Sequence, residues 1–194
     1  MLRIPLPWLT LIVATLLFFV LREKSPTELL SPAVNEEVVR FPHAYMIDID
    51  TEDFDQNGKL ISRMSTPAAQ HFQINPEAPG PDDHTIFTQP KMFFFSERDA
   101  TPWRLSAMEG HSDANGSVIT LTNNVRIEQQ DADSSSFLVT TSLLTIRTLD
   151  QFAETDKAVK MRAPQGVVET IGMQAWLNED RIELLSKVRG TYAP

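Results

Sequence analysis

The polarity pattern divides the chain in two. Residues 4–21, IPLPWLTLIVATLLFFVL, run for eighteen positions without a charge. Beyond residue 44 the pattern changes to alternation with period two. Tyr45, Ile47 and Ile49 alternate with Met46, Asp48 and Asp50; Trp103, Leu105 and Ala107 share one face. Ile119, Leu121, Val125 and Ile127 face away from Thr120, Thr122, Asn124, Arg126 and Glu128. Val159 and Met161 alternate with Lys160 and Arg162, and Ile182, Leu184 and Val188 with Arg181, Glu183, Lys187 and Arg189. Such alternation predicts strands with one face buried and one wet.

The apolar run predicts a helix of about 27 Å at ~1.5 Å per residue, close to the roughly 30 Å hydrocarbon core of a bilayer. Pro5 and Pro7 fall in its first turn, where a missing N–H costs little, and Trp8 suits an interface. The next residues, Arg22–Pro26, contain no small-residue cleavage site. An uncleaved membrane anchor is expected over 1–24, in preference to a buried globular helix or a cleaved signal peptide. Arg3 on one side and Arg22 and Lys24 on the other leave its orientation open. Residues 25–41 read as a linker and 42–194 as one β domain. Turn signals at Asn57-Gly58, Asn75–Pro81, Asn115-Gly116 and Gly166 separate the strands. The spacing fits an antiparallel sandwich, roll or open barrel, and no run is long enough for a βαβ crossover. Asp150–Asp156 is expected to be a helical turn or a loop.

Charge narrows the partners. The chain has 17 Lys+Arg against 26 Asp+Glu, a formal charge of −9, and three of the basic residues flank the anchor. An acidic domain is a poor partner for nucleic acid or an anionic membrane surface. With no cysteine there are no disulfides and no thiolate metal sites. Gly58-Lys59 lacks the rest of a phosphate-binding loop, and neither a G-x-S-x-G elbow nor an HExxH pair is present. His43, His71, His84 and His111 are scattered along the sequence, and the acidic pairs match no EF-hand loop. No catalytic residue, cofactor or metal site is expected, and the chain does not read as an enzyme. What stands out is a surplus of large apolar side chains in short strands: Phe87, Met92–Phe95, Trp103, Phe137 and Trp176. Two readings are open, a packed core and an apolar groove for lipid chains.

Four segments carry a resemblance: FTQP at Phe87–Pro90, TPWRLSA at Thr101–Ala107, ITLTNNVRI at Ile119–Ile127 and ELLSKVRGTY at Glu183–Tyr192. With the N-terminal apolar run, their order and spacing resemble the LptC family, inner-membrane-anchored bridge components of lipopolysaccharide export. Asn123-Asn124 stands where related domains often carry a glycine. The resemblance implies an all-β fold, an open antiparallel β-jellyroll behind a single transmembrane helix. It places inward, lipid-facing positions at Ile49, Phe87, Thr122 and Ile182, and the apolar strands add Phe93, Phe95, Trp103, Leu105, Ile119 and Leu121. The C-terminal strand, with Ile182, Leu184, Lys187 and Val188, would add onto a periplasmic bridge protein by β-augmentation. Tyr45, Ile47 and Gly166 would face an ABC-type inner-membrane transporter. The ligand implied is lipopolysaccharide, with a cytoplasmic N-terminus and a periplasmic domain. The alternative is a membrane-tethered scaffold with no lipid ligand.

Overall fold

The computed structural model describes residues 41–75, 77–96, 101–130 and 136–192. The expected anchor and nearly all of the expected linker lie outside these residues. The strands are β1 (Ala44–Phe54), β2 (Leu60–Phe72), β3 (His84–Thr88), β4 (Lys91–Phe94), β5 (Trp103–Ser106), β6 (Glu109–Ser112), β7 (Val118–Gln130), β8 (Ser136–Arg147), β9 (Phe152–Ala163), β10 (Gly166–Trp176) and β11 (Arg181–Tyr192). All pairings are antiparallel and join them into one sheet. β7 to β11 form a meander, while β2 and β7 are bridged by two short pairs side by side, β4–β5 and β3–β6. β1 covers the far side of β2, so β1 and β11 are the two outer edges. Asp150 and Gln151 form a turn, and strand resumes at Phe152, where the sequence suggested a helical turn or loop.

A crease crosses the sheet at mid-strand. It passes Asp48 on β1, Pro67 on β2, Gln89-Pro90 between β3 and β4, and Ala107-Met108 between β5 and β6. It continues through Asn123-Asn124 on β7, then the irregular stretches of β8 and β9, Gly172 on β10 and Lys187 on β11. Asp48, Gln89, Asn123, Asn124, Gly172 and Lys187 all have positive φ. β7, β9 and β11 each carry one residue more than their partners across the crease. Such bulges bend strands and leave backbone groups unpaired. Hydroxyls near the crease take up several of these. Thr66 Oγ1 donates to Thr88 O, Thr141 Oγ1 to Ala158 O, Thr170 Oγ1 to Ser186 O and Ser186 Oγ to Ile171 O.

The bend divides the sheet into a β4–β5 wing and a β3–β6 wing, and buries one face. Leu105, Leu121, Val125, Ile127, Val139, Leu144 and Ile146 have no exposed surface. Full burial of such a side chain contributes about 1.5–3 kcal/mol. At one end the wings are clipped by side chains from turns. Asp180 accepts the Trp103 indole N–H (2.8 Å) and the Ser96 hydroxyl (2.8 Å), and the Gln151 amide donates to Ile61 O (3.0 Å). Asp180 and Gln151 are both positive-φ residues.

The crease corrects one expectation. Tyr45 and Ile47 do not share a face with Ile49. Met46 pairs with Ala69, and Ile49 with Thr66, both buried on the inner face; the positive φ at Asp48 shifts the alternation by one residue. Tyr45 and Ile47 are 68% and 77% exposed.

The two wings differ on their outer faces. On the β4–β5 wing, Lys91, Arg126, Lys160 and Arg189 lie in one cross-strand row with Asp50 and Glu169. The next row holds Arg63, Arg104 and Arg162 with Glu52 and Glu128. On the β3–β6 wing the rows hold Glu109, Glu154 and Glu183. Arg147 and Arg181 there lie over Phe152 and Trp176 and pair with Asp150, Glu154, Glu179 and Glu183.

Candidate functional site

On the inner face, away from the clip, a cavity of about 290 Å³ opens between β1 and the β6–β7 turn. Ile49, Phe87 and Ile119 line it, so three of the expected groove positions converge. Met46, Met64 and Met92 complete the apolar wall. The crease explains the convergence, since the shift at Asp48 brings Met46 inward beside Ile49. Met side chains are unbranched and fill irregular gaps in many rotamers. Sequence reasoning passed over Met46 because strict alternation put it on the wet side of β1.

The cavity's polar rim is acidic. Asp53 accepts a hydrogen bond from the Ser62 hydroxyl (2.5 Å), and Asp113 one from Ser117 Oγ (2.6 Å). Burial works to raise the Asp113 carboxyl, but hydrogen bonds from Ser117, Val118 and Gly116 outweigh it and hold the group below its ordinary range. The Asp113 carboxylate therefore stays charged near neutral pH. A rim of this sign disfavours anionic groups.

The remaining expected groove positions are dispersed. Leu105 and Leu121 sit in the sealed core, and Trp103 packs edge-on against Phe137 with its indole held by Asp180. Phe93 lies on the outer face, opposite Met92 and Phe94, with the Arg104 guanidinium 5.3 Å from its ring centre. Thr122 also faces outward, pairing with Glu109 and Leu143. Both were placed inside by sequence, and the pleat of β4 and β7 turns them out. Phe95 lines a separate cavity of about 350 Å³ at the clipped end, with Ile61 and Gln151. Ile182 is half-buried at the opposite edge, packed with Leu184 against the core.

Both outer edges are unpaired among the described residues. On β11, Lys187 and Val188 are exposed, while Leu184 turns inward. Tyr45 and Ile47 lie on β1, but Gly166 begins β10 and pairs with Tyr192, so the sheet's full width separates it from them. A Cβ on Gly166 would lie 2.2 Å from the Thr191 carbonyl oxygen, and its φ is +152°. Close approach to β11 accounts for the glycine there.

The four histidines, distant in sequence, gather at the free corner of the β3–β6 wing. Phe72, His84 and His111 form a three-ring stack with centroids 5.0 and 4.9 Å apart, and His71 bonds Thr85 (3.1 Å). The backbone N–H of His43 donates to His71 O. Among the described residues, no three His, Asp or Glu side chains are grouped so as to hold a metal ion.

Comparison with known proteins identifies the family. No curated protein sequence matches significantly. Among solved structures, the crystal structure of LptH, the LptA-homologous periplasmic component of the lipopolysaccharide transport device of Pseudomonas aeruginosa, aligns with a TM-score of 0.48 and 10% identity. The alignment covers 69% of this chain and 95% of that one. The family model described as "Lipopolysaccharide-assembly, LptC-related" matches residues 8–193, nearly the whole sequence. The chain belongs to this LptC-related family of lipopolysaccharide-assembly proteins.

Proposed function

We propose that the chain is a non-enzymatic conduit for lipopolysaccharide, tethered to the inner membrane by residues 4–21 with its β domain in the periplasm. It accepts the lipid from an ATP-driven inner-membrane transporter and passes it to a periplasmic bridge protein. The convergence of Ile49, Phe87 and Ile119 on one open apolar cavity carries this reading. Each methylene moved from water into such a wall contributes about 0.8 kcal/mol, so hydrocarbon is held without a headgroup pocket. Release is uphill, and no nucleotide motif in the chain supplies the energy; the driving force comes from the transporter. At about 290 Å³ the cavity takes part of an acyl chain. Holding a whole many-chained lipid requires β1 to move away from the β6–β7 turn. The unpaired edge of β11, with Ile182, Leu184, Lys187 and Val188, is the joint to the bridge protein, and Tyr45 and Ile47 on β1 face the transporter.

A photo-crosslinker at Phe87 should capture lipopolysaccharide when the transporter hydrolyses ATP, and one at outward-facing Arg126 should not. Capture at Arg126 without capture at Phe87 excludes the groove. A specific observation favours the second reading, a tethered scaffold without ligand: the central interior is already filled by Leu105, Leu121, Val125 and Ile127. Mass spectrometry of the protein purified from a transporting membrane separates the two, since a scaffold carries no lipopolysaccharide.

A further inference from the structure

The wall of the cavity beneath β1 changes character toward the β6–β7 turn. Phe87, Gly110 and Leu121 form one cross-strand row on the inner face, apolar throughout. Gly110 lets the Phe87 ring lie close, since a Cβ there would crowd Pro90, Leu121 and that ring at 3.1–3.4 Å. Two residues along, about 7 Å nearer the turn, the next inward row holds Thr85, Ser112 and Ile119, all of which line the cavity. The hydroxyls of the wall are not equivalent. Thr85 Oγ1 is bonded to His71 Nδ1 (3.1 Å), and Thr148 Oγ1 donates to the Gly116 and Ser117 carbonyls (3.2 and 3.3 Å). Ser112 is 3% exposed, and among the described residues its hydroxyl has no hydrogen-bond partner. The oxygen is open to the cavity rather than sealed in protein.

We propose that Ser112 reads a hydroxyl on the part of an acyl chain nearest its head, so that the cavity selects hydroxylated chains over plain ones. This rests on the reading of the cavity as a seat for hydrocarbon. A buried hydroxyl without a partner is unfavourable. Water entering the open cavity serves Ser112 before lipid arrives, and an acyl chain drives that water out. A plain chain then leaves the hydroxyl facing hydrocarbon. A chain with its own hydroxyl at this depth takes the water's place, since each hydroxyl both donates and accepts. The tail beyond it continues into the Phe87 row. The carbonyl that links chain to headgroup does not meet this need, because it stays with the headgroup at the mouth, whereas Ser112 is buried. Sites that hydrogen-bond a ligand hydroxyl reject analogues lacking it far more strongly than apolar pockets reject a change of one methylene. The acidic rim does not oppose the choice, because a hydroxyl is uncharged.

The test compares two uncharged probes on the full chain in phosphatidylcholine nanodiscs. Both are methyl esters of dodecanoic acid with a terminal diazirine, and one carries a 3-hydroxyl. They are dosed to equal concentration in the disc lipid, and mass spectrometry counts adducts on the peptides holding Phe87 and Ile119. The hydroxylated probe should label about three- to tenfold more than the plain one, the worth of one hydrogen bond. In Ser112→Ala the two should label equally, with the plain probe at least at its former level. Equal labelling in the unsubstituted protein overturns the proposal and leaves the hydrocarbon seat standing. A Ser112→Ala variant that keeps the preference also overturns it, and one that loses both labels alike makes Ser112 structural, with the same consequence. No adduct of either probe on those peptides removes the seat itself, and the proposal with it.

Discussion

The two ends of the interior are built from similar apolar residues and behave differently. At the clipped end, Trp103 and Phe94 are almost wholly buried, and the wings are joined by hydrogen bonds that Asp180 accepts and Gln151 donates, with partners more than seventy residues away in sequence. At the other end, Ile49, Phe87 and Ile119 line an open cavity whose outer wall is β1, a strand paired on one side only. Apolar content does not decide which end is tied together, and the tied end also holds a cavity, beside Phe95 and Gln151. What decides is whether polar side chains at strand turns lock one wing to the other. The proposed conduit uses both conditions, a tied end to stay folded and an untied end to exchange lipid. Membership of the LptC-related family supports a role in lipopolysaccharide transport.

This contrast can be broken from either side. The largest effect is expected from Phe94→Ala, which empties a fully buried ring and should cost about 3–5 kcal/mol in urea unfolding. Ile49→Ala, at the open end, should cost about 1 kcal/mol, because the side chain is only half-buried. Similar losses for the two would mean the ends are equally packed. Next in size is Asp180→Ala, which leaves the Trp103 N–H buried without an acceptor and should cost about 1–3 kcal/mol. Asp180→Asn keeps an acceptor and tolerates positive φ, so it should retain most of the stability. Equal losses from both variants would show that the clip holds nothing. A further effect concerns the crease: Asn123→Val puts a β-branched residue at φ +62° and should cost about 1–2 kcal/mol, whereas Asn123→Gly should be nearly neutral. If the valine variant is also neutral, the crease at β7 is not under conformational constraint.

Much of this architecture is legible in the sequence. The alternating runs fall in β1, β5, β7, β9 and β11, and Asn57-Gly58 and Asn115-Gly116 both mark turns. Asn123-Asn124 could be read as a corner because asparagine tolerates positive φ. The cavity wall was legible in part, since Ile49, Phe87 and Ile119 line one cavity. What could not be read were the bends at Gln89 and Lys187, whose residue types carry no signal for positive φ, and at Asp48, where aspartate stands inside an alternating run with no turn signal beside it. Each bend changes which side chains face inward, so periodicity misplaced Met46. Period-two reading of single strands also could not show that His84 and His111, 27 residues apart, stack. That proximity comes from β3 pairing with β6.

Asp48 works as a frameshift written in the backbone. Before it, the outward text of β1 is Tyr45 and Ile47; after it, Asp50 and Glu52. Were Asp48 to take ordinary strand geometry, strict alternation back from Ile49 would turn the first half of β1 inside out, sending Tyr45 and Ile47 into the cavity and Met46 to the surface. The identity of the edge offered to a neighbour is thus encoded by the backbone conformation of one residue as much as by the kind of its neighbours. Among related chains, the conformation of the residue before the cavity-facing isoleucine is the quantity to compare.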